Sequence, residues 1–137
     1  MFILQETPID VNQAKAHSHN PQNGALVTFE GMVRADEHQG RAVSGLLYIA
    51  DTEAVLAEGK KIINEALAQF SITEVVCIQR IGHLRVTETA VWIGVWAAHR
   101  DDAFKGCRYI IEEIKKRLLI WKKEFFTDGS NRWIHGS

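Results

Sequence analysis

The run TAVWIGVWAA at residues 89–98 constrains the fold most, because it is apolar at almost every position. Successive side chains of a strand point to opposite faces, so a strand apolar on both faces must be covered on both. The run therefore predicts a central strand of a layered domain, with packing above and below it. His99 and Arg100 follow at once, and Asp101 or Asp102 is then placed to cap a helix beginning near Ala103. Phe104, Cys107, Ile110, Ile111, Ile114 and Leu118 recur along that helix as a buried stripe.

The rest of the chain supplies partners for this strand. FILQ at residues 2–5 reads as a short strand, and Asp10 as the N-cap of a helix over VNQAKAHS. Residues 17–24 are a polar, turn-rich connector; its His17 and His19 lack the acid or cysteine cluster a metal site needs. Residues 25–33 (ALVTFEGMV) and 42–49 (AVSGLLYI) read as strands, paired as an antiparallel hairpin around an exposed mobile loop, ADEHQGR. Alternation along the first puts Val27, Phe29, Gly31 and Val33 on the core face. Asp51 or Thr52 caps a helix to about Phe70, and Gly59 inside it signals close packing or a bend, at ~1 kcal/mol against alanine. A strand over 73–80 and a connector at 83–88 lead back to the central run. The expected class is α+β, a single domain over 1–137 in the order β-α-β-β-α-β-β-α.

Charge narrows the function classes. The formal net charge is −1, which argues against a general nucleic-acid binder. Two cysteines far apart give neither a disulfide framework nor zinc spacing and read as buried thiols. The first ten residues lack a basic segment and a long apolar segment, and no run approaches the ~18 apolar residues of a membrane span. A soluble cytoplasmic protein is expected.

Basic residues concentrate at three places. Arg34 leaves a strand at the lip of the 35–41 loop. His99-Arg100 stands at a strand-to-helix junction, where backbone N–H groups favour an anion such as phosphate. The third is IKKRLLIWKKE (114–124), with five cations and one acid. On a continuous helix Lys115 and Lys122 would be close to two turns and roughly 10 Å apart on one side. A lysine held beside another cation and partly desolvated loses basicity and becomes available as base or nucleophile. A solvated helix face is the competing reading of the same residues, and packing that of Trp121 and Phe125.

Taken together, GALVTFEGMVR (24–34), RIGHL (80–84), AVWIGVWAAHRDDAF (90–104), CRYIIEEIK (107–115), IWKKE (120–124) and DGSNRW (128–133) are similar to the family of large, catalytic subunits of molybdopterin synthase. The segments occur in the family's order and spacing and cover nearly everything from Gly24 to Trp133. The resemblance implies a fold of the α/β-hammerhead type. It implies a sulfurtransferase that inserts the two dithiolene sulfurs into cyclic pyranopterin monophosphate (precursor Z), without a metal or other cofactor in this step. The sulfur would come as a thiocarboxylate on the C-terminal Gly-Gly of a small ubiquitin-like subunit. The assembly implied is a homodimer of large subunits within a heterotetramer, with no nucleic acid or membrane.

Carried over by position, Lys115 and Lys122 match the catalytic lysines, and Arg34, His99 and Arg100 match substrate-binding residues. Phe29 and Arg132 match pocket-associated positions, although alternation alone sets Phe29 in the core. Lys115 is expected as principal acid/base beside the tail, and Lys122 as the charge neutralising the pterin side. The reading requires these amines and guanidinium groups to converge on a single cavity. Two departures stand out: Leu118-Leu119-Ile120 lacks the proline common before the family's tryptophan, and the segment after Tyr48 lacks a second aromatic. The alternative is a non-catalytic paralogue that docks a ubiquitin-like tail without chemistry.

Overall fold

A computed structural model describes residues 1–134. Sheet one has the order β1-β5-β7-β2: β1 (Phe2–Gln5), β5 (Ile72–Arg80), β7 (Thr89–Ala97) and β2 (Ala25–Met32). β1 runs parallel to β5, and the other pairings are antiparallel. β7 lies between β5 and β2, with eight of its nine residues buried.

Both faces of β7 are covered, as its sequence requires. Val91, Ile93, Val95 and Ala97 meet the helices α2 (Thr52–Gln69) and α3 (Arg100–Arg117) through Ile62, Ile63, Ala66, Cys107, Ile110 and Ile114. Trp92 and Trp96 on the opposite face pack with Ala14, Val76 and Ile78, roofed by the short helix α1 (Val11–Lys15). Fully burying each of these side chains stabilises the fold by about 1.5–3 kcal/mol before entropy is counted. The two cysteines are free and buried within the helix-side core.

The caps follow local chemistry. Asp10 accepts a hydrogen bond from the Gln13 N–H, and Asp51 one from the Ala54 N–H, as expected of N-cap carboxylates. For α3 the expectation fails: the N-cap is His99, without a side-chain cap bond, and Asp101 and Asp102 lie inside the first turn. There they complement the helix dipole, and Asp101 also pairs with the Lys105 ammonium at 2.9 Å. Gly59 is explained by close packing: a Cβ there would stand 2.6 Å from the ring of Phe2. Arg117 ties the two long helices together, its guanidinium donating to Glu58 at 2.7 Å and to Glu65 at 2.6 and 3.0 Å.

Sheet two is antiparallel and was only partly legible. It has the order β3-β4-β8-β9, from β3 (Glu37–His38), β4 (Arg41–Ala50), β8 (Ile120–Phe126) and β9 (Asn131–Ile134), with β6 (Gly82–Arg85) also on β4. The expected hairpin between 25–33 and 42–49 does not form, since β2 pairs with β7 and β4 with β8 in different sheets. The expected mobile loop is instead a tight hairpin whose turn residues Gln39 and Gly40 have φ of 54° and 77°. Such left-handed turn residues match the twist of the paired strands. The eight expected elements are all present, and β3, β6, β8 and β9 are added to them. Among the described residues no helix is long and apolar enough to cross a membrane.

Candidate active site

The site forms where the two sheets meet at the C-terminal end of α3. The helix stops at Arg117: Leu118 takes extended backbone (φ −77°, ψ 132°), and β8 starts at Ile120. Lys115 and Lys122 therefore do not share one helix. Lys115 stands on the last turn of α3 and Lys122 on β8, and the reversal between them folds the second amine back toward the first. On β8 the inward set is Ile120, Lys122, Glu124 and Phe126, so polar groups from this strand face the interior.

Two neighbouring cavities share this pair of amines. The smaller, of about 360 Å³, is lined by the apolar side chains of Val91, Ile114, Leu118 and Ile120 and by the polar groups of Gln79, Tyr48 and the two lysines. The other, of about 480 Å³, is lined by Phe29, Arg34, Tyr48 and Arg132 as well as Asp36, His38 and Glu124. Lys115 and Lys122 line both.

Electrostatics separate the two lysines. Burial, and then the charge and hydrogen bonding of Lys115 beside it, lower the Lys122 ammonium from 10.5 to about 8. Lys115 itself is exposed, whereas Lys122 is half-buried. Lys122 is thus the amine whose basicity falls toward the physiological range, whereas the acid/base role was expected of Lys115. At pH 7 roughly a tenth of such an amine is unprotonated. Its ammonium also lies 5.9 Å from the centroid of the Tyr48 ring, its cross-strand partner. Burial raises the Tyr48 phenol above its ordinary value, so it is a neutral O–H at physiological pH.

The remaining expected residues divide into two groups. Phe29 is 37% exposed and lines the cationic cavity instead of packing in the core, because β2 is an edge strand there. Arg34 stands at the lip, pairing with Asp36 at 3.4 Å. Arg132 reaches in from β9, its Nε donating to Glu124 Oε1 at 2.7 Å. His99 and Arg100 line neither cavity. They begin α3, and 15 residues at ~1.5 Å each set Arg100 about 22 Å along the axis from Lys115. Within one protomer Lys115, Lys122, Arg34, Phe29 and Arg132 therefore meet at these cavities, and His99 and Arg100 do not.

Sequence reasoning missed four residues of this site. Glu124 is buried between Arg132 and the His38 ring, whose Nε2 is 3.2 Å from Glu124 Oε2. It belongs to the IWKKE segment, and an acid on the inward face of a strand was the available signal. His38 arrives only because the hairpin folds over, which its polar sequence did not announce. Tyr48 and Gln79 are each a polar interruption of an apolar strand, in LLYIA and VVCIQR. Asp36, His38 and Glu124 place ligand atoms within 4.8 Å of one another and are the described residues that could hold a metal. Arg34 and Arg132 already engage both carboxylates, so the cluster as it stands is an ion-pair network.

Comparison with known proteins places this geometry. Residues 4–117 match the family model described as MoaE protein. The chain is 41% identical over 135 residues to the molybdopterin synthase catalytic subunit of Pyrococcus abyssi, covering 98% of this chain and 90% of that one. It is 42% identical over 113 residues to the Thermoplasma volcanium protein of the same name, covering 82% of each. A solved structure of molybdopterin synthase from Staphylococcus aureus superposes with a TM-score of 0.90 at 33% identity, covering 98% of this chain and 96% of that chain. A complex of subunits 1 and 2 of the Helicobacter pylori molybdopterin-converting factor, at 16% identity and a TM-score of 0.76, shares the fold over 98% of this chain and 88% of that chain. The fold and these relationships agree: the chain belongs to the MoaE protein family, together with the molybdopterin synthase catalytic subunits.

Proposed function

We propose that this protein is the catalytic subunit of a molybdopterin synthase. It transfers sulfur from the C-terminal thiocarboxylate of a small ubiquitin-like subunit to precursor Z, forming the dithiolene. The observation that carries this reading is the pair of lysine amines shared by two neighbouring cavities, one of them lined by guanidinium groups. A cyclic monophosphate suits arginine forks, and Arg34 and Arg132 supply them. Sulfur delivery from an acyl thiocarboxylate develops negative charge on oxygen, and leaving oxygens need protons. Both demands are met by ammonium groups in a partly desolvated site. Lys122, at about 8, both donates and accepts a proton near neutral pH, and Lys115 stabilises the developing oxyanion beside it.

His99 and Arg100 keep their proposed substrate contact only across two copies of the chain, because in one protomer they lie too far from Lys115. The homodimer implied by the resemblance supplies the second copy. Mixing Lys115→Ala with Arg100→Ala protein then restores activity in the mixed dimers that pair the intact halves. No recovery after subunit exchange contradicts this placement.

The decisive experiment combines the protein, the thiocarboxylated partner and precursor Z, and assays molybdopterin as its fluorescent oxidation product. Product that depends on Lys115 and Lys122 supports the reading. Tight binding of the partner without product selects the non-catalytic alternative.

A further inference from the structure

Gln79 is 6% exposed, lies on β5 and lines a cavity with Ile114 of α3 and Tyr48 of β4. Its side-chain Nε2 donates to the Arg80 carbonyl at 3.0 Å and to the Ala90 carbonyl at 3.1 Å. Both acceptors are carbonyl oxygens, so the amide has one sensible orientation, and its Oε1 has no protein donor among the described residues. Trp92 Nε1 is the fully buried side-chain polar atom without a partner among those residues. Gln79 Oε1 is not such an atom, and Gln79 lines the smaller cavity. The amide is a fixed acceptor, held by two bonds, waiting for a donor from outside the chain.

The two cavities differ in the ligand they suit. The one with Arg34 and Arg132 matches a phosphate-bearing pterin. The one with Gln79 contains no arginine, and its wall includes Gly31, where a Cβ would stand 2.8 Å from Val91 Cγ1. A side-chain-free, extended Gly-Gly segment fits such a space, but its peptide N–H groups lose water on entering. A buried N–H without an acceptor is strongly disfavoured.

We propose that Gln79 is a specificity-determining residue for the sulfur carrier's tail: its Oε1 accepts a hydrogen bond from a backbone N–H of the incoming Gly-Gly segment in the smaller cavity. This rests on the function proposed above. It assigns the smaller cavity to the carrier and the arginine-lined cavity to the pterin, with Lys115 and Lys122 at their shared boundary.

The test is binding of short synthetic peptides ending in Gly-Gly to the full-length protein. In two analogues, the N–H of the last or of the next-to-last residue is replaced by an ester oxygen, which removes the donor without adding bulk. One ester is expected to bind roughly 10- to 100-fold more weakly than the amide peptide. With Gln79→Met protein the amide and ester peptides bind alike, and KM for the thiocarboxylated carrier rises by a similar factor while KM for precursor Z does not. If Gln79 only bridges two strands, Gln79→Met lowers the melting temperature without this selective change, which overturns the proposal. Should the variant not fold, equal binding of amide and both esters by the unaltered protein overturns it as well. Failure of the protein to bind any Gly-Gly peptide overturns both this inference and the function beneath it; binding without discrimination overturns this inference alone.

Discussion

Replacing Lys122 by methionine separates what the site costs the fold from what it contributes to chemistry. Methionine keeps most of the aliphatic stem, so packing around β8 is retained and the charge is removed. Lowering the ammonium from 10.5 to about 8 corresponds to about 3 kcal/mol of disfavoured charge. Partial exposure of the amine screens this, leaving ~1–2 kcal/mol. Loss of the contact with the Tyr48 ring removes about 0.5 kcal/mol in the other direction.

Below about pH 8 the folded state holds the disfavoured charge in full, and between about 8 and 10.5 that penalty fades as the amine loses its proton. Lys122→Met should therefore be more stable than the parent by ~1 kcal/mol at pH 7, and the gap should narrow steadily from about pH 8 toward 10.5. Denaturant unfolding of both proteins across this range measures it. A variant less stable than the parent at pH 7, or a gap that does not change with pH, would refute the assignment of a strained amine. The same variant should make no molybdopterin.

Three further outcomes follow from other parts of the molecule. Arg117 holds the Glu65 carboxyl down to about 2 from 4.5, with the Tyr109 hydroxyl as second cause; that stability is present above about pH 4.5 and lost toward pH 2. Acid titration of Arg117→Met against the parent should thus show a difference that disappears across this window. Gly59→Ala gains helix propensity of ~1 kcal/mol but drives a methyl into the Phe2 ring; overpacking of ~1–3 kcal/mol should win, and thermal unfolding should show the variant less stable unless Phe2 is shortened too. Glu124→Gln weakens the charge-assisted contact to Arg132 and alters the contact to the His38 ring; KM for precursor Z should rise about tenfold, with binding of the Gly-Gly peptide unchanged by titration calorimetry.

The legible parts of this fold are those where local and tertiary preferences agree. The doubly apolar run at 89–98 forms the central strand β7, and Asp10 and Asp51 cap the helices they precede. Legibility ends where a contact depends on sheet assignment. The strands at 25–33 and 42–49 are neighbours in sequence, yet each finds a better partner in a different sheet. β8 was hidden because its inward face carries Lys122 and Glu124, which reverses the usual apolar-in pattern, and no proline or glycine marks the end of α3 at Leu118. The lysine pair was visible as spacing, but its geometry comes from a helix-to-strand reversal that spacing does not encode. Gln79 and His38 acquire meaning only from their neighbours across the junction.

The central claim is that two amines between two cavities carry out sulfur transfer. The most direct measurement is single-turnover formation of molybdopterin from precursor Z and thiocarboxylated partner, followed against pH. The expected result is a rate that depends on a group near pH 8, no rate in Lys122→Met, and in Lys115→Met a strongly reduced rate whose dependence is displaced to higher pH, because the neighbouring charge is gone. Turnover by the Lys122→Met protein at the parental rate would contradict it.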